Sequence, residues 1–128
     1  MEAARASGIE VASTRNGRTS YAAGAAGARS LLASPVRPDA AFCVTDLIAC
    51  GFMDIARYEF GLSIPDDLSV IGFDDIEQAS WLSYRLTSFS PPVEELAAAV
   101  VDLATISETA AEQAPPSRVL EATLARRG

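Results

Sequence analysis

Ile64-Pro65-Asp66-Asp67-Leu68-Ser69-Val70-Ile71-Gly72-Phe73-Asp74-Asp75 is the most informative stretch of the chain. Pro65-Asp66-Asp67 is turn chemistry, because proline presets its own φ and aspartate can bond the backbone two residues on. The run Leu68 to Phe73 then carries no charge and stops at two aspartates. An uncharged run of that length between turn signals predicts a strand buried on both faces, the kind found in parallel sheets covered by helices.

Working outward, Ala40-Ala41-Phe42-Cys43-Val44 repeats the pattern, introduced by Pro35 and Pro38 and ending at Thr45-Asp46. A helix is expected from there to about Phe60, with Ile48, Ala49, Phe52, Ile55 and Ala56 as its apolar stripe and Gly61 as its stop. Further upstream the sequence predicts a helix tail over 3–7 ended by Gly8 and an alternating strand over 9–13 closed by Asn16-Gly17. A helix over 20–33 follows, capped by Ser20 and weakened by Gly24 and Gly27. Downstream, 76–85 has no period and carries Trp81, Leu82 and Tyr84. A strand is expected over 86–89, a helix from Pro92 to about Ser107, a loop over 113–117 and a last strand over 118–124. Strands alternating with helices give an α/β fold, a parallel sheet flanked by helices.

Composition narrows the function. With 128 residues and 49% hydrophobic content the chain can build a packed core. Ten Lys and Arg against seventeen Asp and Glu give a net charge of −7, a surface that repels a phosphate backbone. There is no His, the commonest general base at neutral pH, so no catalytic residue is assigned and no enzyme is expected. Cys43 and Cys50 have no companion ligands for a metal and read as reduced thiols; no metal or other cofactor is expected. No apolar run approaches the roughly 18 residues that cross a bilayer, and no leader precedes the first element, so a cytoplasmic protein is expected.

Three ordered stretches carry a family likeness: Phe42 to Met53, Ile64 to Asp75, and Leu86-Thr87-Ser88-Phe89 followed by Pro92-Val93-Glu94-Glu95-Leu96. Together they resemble the carboxy-terminal part of the effector-binding core of LacI/GalR-type transcriptional regulators, over about Gly8 to Arg126. The resemblance implies a partial periplasmic-binding-protein-like (type I) lobe, in which ligands sit at the carboxyl ends of the parallel strands. Thr45-Asp46 and Asp74-Asp75 both terminate predicted strands and should be neighbours on that rim.

Carried over position by position, Thr45, Asp46 and Asp74 match effector-contacting positions, where carboxylates accept hydrogen bonds from hydroxyl or ring N–H groups. Thr19 stands where an aromatic is frequent, and Thr45 where Asn is usual. Asp46 has a second reading, as the cap of the following helix, and Asp75 reads better as a solvated turn or cap than as a ligand contact. The implied effector is a sugar or a purine-like molecule. DNA would be reached only through an amino-terminal domain outside this chain, and the helix 92–107 would belong to the other lobe. The lobe's first strand, which would lie between 9–13 and 42–44, and its first helix are also absent from the chain.

Self-association is therefore expected, through Leu47, Cys50, Tyr58, Trp81 and Leu82, with exchange of a strand or of the helix from Pro92 as a route. The lesser reading of Trp81 is a core aromatic. Two other functions compete: a solute-binding protein of a sugar transporter, and a metal-dependent enzyme or phosphoacceptor using Asp74-Asp75.

Overall fold

Thr45 starts the central helix. Its backbone is extended (φ −147°), its hydroxyl accepts from the Ile48 amide at 3.4 Å, and helix α2 runs from there over Asp46–Tyr58. Ser20 does the same for α1 (Tyr21–Leu32), accepting from the Ala23 amide at 3.1 Å. Both starts lie where the sequence puts them. The structure, a computed structural model, describes residues 6–104 and 117–127.

Strands β1 (Ala40–Phe42), β2 (Ser69–Phe73), β3 (Thr87–Ser90) and β4 (Thr123–Ala125) form one sheet in that order, with α3 (Val93–Ala104) between the last two in sequence. β1, β2 and β3 are parallel, in register Phe42 with Ile71 and Ile71 with Thr87. β4 is antiparallel to β3, Leu124 opposite Phe89, so the sheet is mixed.

The core lies between the α1–α2 layer and one face of the sheet. Leu32, Met53, Leu68 and Leu86 are its largest fully buried members, each contributing roughly 1.5–3 kcal/mol. α1 and α2 meet backbone to backbone: a Cβ on Gly24 would collide with the Ile48 carbonyl, and one on Gly51 with that of Tyr21. The residue that weakens α1 as an isolated helix is thus what lets it dock. Alternation along the strands turns Phe42, Ile71, Phe73 and Phe89 to the other face, where the Phe73 and Phe89 rings lie 6.3 Å apart.

Several expectations are corrected. Residues 9–13 form no strand, because β1 is the sheet edge and this segment pairs with no described strand; period-two alternation is not enough without a neighbour to bond. The last strand is confined to Thr123–Ala125. α3, by contrast, is as unpartnered as expected of a helix that would belong to the other lobe: it buries only Ala99 and leaves Val93, Leu96, Val100 and Val101 exposed. The predicted end of that helix, most of the loop over 113–117 and most of the helix tail over 3–7 lie outside the described residues. Among the described residues, no helix is long and apolar enough to cross a membrane.

Candidate functional site

The parallel strands β1 and β2 end on the same edge, and the chain turns there through Thr45-Asp46 and Asp74-Asp75. The two turns are joined. Asp46 is fully buried, and its Oδ1 accepts from Ser88 Oγ at 2.6 Å while Oδ2 accepts from the Ile76 amide at 3.0 Å. Ser88 Oγ, also fully buried, accepts in turn from the Asp75 amide at 3.2 Å. Gly72 makes this possible, since a Cβ there would occupy the space of the Asp46 carboxylate. The buried charge also sits in the first turn of α2, where the helix dipole favours it.

Asp74 and Asp75 both have positive φ, 111° and 53°. Side chains rarely take up that conformation unless the surroundings impose it, and such residues cluster at functional sites. The Asp74 amide is tied to the Phe89 carbonyl at 3.0 Å, while the residue itself is exposed. Desolvation, and then the charge of Asp46, hold its carboxyl above the usual carboxylate range. Asp75 is turned to Arg127, whose Nη2 lies 2.6 Å from Oδ1 as an ion pair.

The predicted contact residues therefore separate. Asp74 presents a carboxylate at the rim that can accept from a hydroxyl or N–H group. Thr45 is half-buried and is the helix cap, a role the sequence reading offered to Asp46. Asp46, without exposed surface, works by fixing Ser88 and Ile76. Thr19 is exposed on the turn before α1 and lines a separate hollow of about 1750 Å³, with residues 9–18 on one wall and the β1 edge and Val44 on the other.

Of the expected self-association residues, Leu47 (43% exposed), Tyr58 (84%), Trp81 (47%) and Leu82 (94%) present apolar surface. Cys50 does not: it is buried, and desolvation pushes its thiol up to about 11, as it pushes that of Cys43 up to about 12. The loop carrying Trp81 is held on α2 by Arg57, which donates to the Ser83 carbonyl at 2.6 Å, and by Tyr84, whose hydroxyl donates to Asp54 at 3.0 Å. Sequence reasoning missed Ser88 and Arg127; β3 reads Thr87-Ser88-Phe89-Ser90, and nothing local singles out Ser88 from the hydroxyls on either side of it.

Among the described residues no three of His, Cys, Asp and Glu gather as metal ligands, and one carboxylate of the acidic pair is already in an ion pair.

A family model described as "Periplasmic binding protein-like domain" matches residues 1–128. The ribose operon repressor of Escherichia coli K12 is 41% identical over 75 residues, 59% of this chain and 22% of that protein. The probable HTH-type transcriptional repressor ExuR of Bacillus subtilis 168 is 42% identical over 87 residues, 65% of this chain and 26% of that protein. Among solved structures, a sugar-binding transcriptional regulator of the LacI family from Escherichia coli, complexed with phosphate, superposes with a TM-score of 0.78 at 30% identity, covering 98% of this chain and 45% of that one. The chain thus spans about a quarter of these curated relatives and just under half of the solved one. The relatives are repressors, which disfavours the transporter alternative.

Proposed function

We infer the function from one premise: the chain belongs to the family of periplasmic binding protein-like domains, and its relatives there are LacI-type transcriptional regulators. The reading is an effector-binding portion of such a regulator, in which occupancy of the rim changes the protein's shape and thereby its affinity for DNA. It requires no chemistry at the site. The observation that carries it is the Asp46–Ser88–Asp75 link, which holds two acidic strand ends together at the carboxyl edge of a parallel sheet.

Asp74 is the proposed ligand carboxylate, with Thr45 at the adjacent strand end and Asp46 as their support; Thr19, which lines the separate hollow, is left out of the rim. The effector class is a sugar or a purine-like molecule, the former supported by the ribose operon repressor and the sugar-binding regulator. A net charge of −7 makes this chain a poor DNA partner, so operator contact is assigned to another domain of the parent protein. The hollow beside residues 9–19 and the open edge of β1 is assigned to the lobe's first strand, and α3 to the second lobe.

Amide chemical shifts test this on the chain itself. Titration with pentoses, hexoses and purines at millimolar levels should move the amides of Thr45, Asp74 and Asp75, and Asp74→Asn should abolish the movement. No response at the rim to any of these compounds sinks the reading. Leu47, Tyr58, Trp81 and Leu82 are proposed to meet a second copy of the chain. A compact monomer by light scattering at micromolar concentration would remove that part.

A further inference from the structure

We propose that Arg127 is a positioning residue for the rim turn that bears Asp74, a latch supplied from the far end of the chain. The proposal rests on the reading of the rim as the effector site. β4 runs antiparallel to β3 with Ala125 opposite Ser88, which carries Arg127 alongside Thr87 and Leu86. The backbone of Arg127 is fixed on both sides: its amide donates to Thr87 Oγ1 at 3.1 Å, and its carbonyl accepts from Arg85 Nη2 at 3.2 Å. From that anchored position the guanidinium makes one hydrogen bond and one ion pair, the contact to Asp75 Oδ1 being close without hydrogen-bond alignment. Nη1 donates to the Leu86 carbonyl at 3.1 Å and Nη2 reaches Asp75 Oδ1 at 2.6 Å.

This ion pair differs from the other two among the described residues. Arg29–Glu59 and Arg118–Asp102 are about half exposed, whereas the Arg127 and Asp75 side chains keep only 24% and 20% of their surface. Screening by solvent and salt is correspondingly weaker. The turn also needs holding, because two successive aspartates are in the left-handed region and the amide that follows them is bonded to a third aspartate, Asp46. Asp75 is secured at two points, its amide to Ser88 and its carboxylate to Arg127. Arg127 supplies the cation and leaves Asp74 as the outward carboxylate.

Amide hydrogen exchange on the 128-residue chain tests the latch without any effector. Arg127→Gln should speed exchange at Asp75 and Ile76 by about tenfold or more, leave the amides of Ala49 in α2 and of Glu59 at its carboxyl-terminal cap unchanged, and be largely rescued by Arg127→Lys. Unchanged exchange at Asp75 and Ile76, or acceleration spread equally over α2, overturns the proposal. If Arg127→Gln does not fold, Asp75→Asn approaches the same pair from its other side, with the same two outcomes. A chain that ignores every sugar and purine yet shows rim-limited acceleration would defeat the effector reading alone. Normal ligand response with unaltered exchange would defeat the latch alone.

Discussion

Asp46 and Ser88, forty-two residues apart, share a 2.6 Å hydrogen bond with no solvent-exposed surface on either residue. Through it the turn after β1 is bonded to β3, and through the Ile76 and Asp75 amides both residues hold the turn after β2. A buried carboxylate with two donors is stable only while both remain. Asp46→Ala strands the Ser88 hydroxyl and the Ile76 amide, so unfolding in urea should show a loss of about 2–5 kcal/mol. Ser88→Ala removes one donor from the charge and should cost about 1.5–3 kcal/mol. A loss below about 0.5 kcal/mol for Asp46→Ala, the level of an ordinary surface change, would contradict the arrangement.

Asp74 should reduce stability at neutral pH. Its carboxyl is raised in the folded chain, by desolvation first and by the charge of Asp46 second, so the folded state binds its proton more tightly than the unfolded state does. Stability from this group is therefore greatest in acid and declines as pH rises from the unfolded carboxylate range through the higher folded value. Asp74→Asn removes the charge and keeps a side chain that tolerates positive φ. The variant should melt above the wild type at pH 7, with the gap closing as the buffer is taken below the ordinary carboxylate range. A variant that melts below the wild type at pH 7 would refute the assignment.

The parts of this picture that could be read from the sequence are those with local causes. Ser20 starts a helix because a hydroxyl three residues before an amide is a short-range signal, and the runs into Asp46 and Asp74 end strands for a similarly local reason, although the cap expected at Asp46 falls one residue earlier, on Thr45. Residues 9–13 show where such reading stops, since alternation marks a segment able to pair but cannot supply its neighbour. The same holds within the site. That Asp46 serves Ser88 and Ile76, and that Arg127 meets Asp75, depends on contacts across 30 to 42 residues, or more, that no periodicity encodes. β4 is antiparallel for reasons equally remote from its own three residues.

Asp54 should set the titration of two tyrosines at once. Tyr21 donates to its Oδ2 at 2.7 Å and Tyr84 donates to the same oxygen at 3.0 Å, tying α1 and the Trp81 loop to α2. Ionised phenols could not donate and would be repelled. Tyr21 is accordingly pushed up to about 12, first by that hydrogen bond, and Tyr84 is raised as well, first by burial. Both keep their protons longer in the folded chain, so their contribution to stability is present below the usual value of 10.0 and is lost as pH climbs through about 12 for Tyr21 and higher still for Tyr84. Ultraviolet titration of Asp54→Asn should show Tyr21 ionising nearer 10.0. An unaltered titration curve would mean that the shared oxygen does not govern these phenols.

Three glycines in two helices should respond to alanine with opposite signs. In an exposed helix interior the change is favourable by about 1 kcal/mol. At Gly24 and Gly51 the added methyl meets the partner helix's backbone, the Ile48 and Tyr21 carbonyls, which cannot step aside without separating α1 from α2. Overpacking of that kind typically costs about 1–3 kcal/mol and sometimes more, enough to outweigh the propensity gain. At Gly27 the nearest atom is a methyl of the Thr14 side chain at 3.2 Å, on an exposed residue that can rotate away. Gly27→Ala should therefore be neutral or stabilising in urea, while Gly24→Ala and Gly51→Ala lower the midpoint. Equal effects at all three positions would show that the two helices do not approach through Gly24 and Gly51, and the placement of α2, and with it of Asp46, would have to be revised.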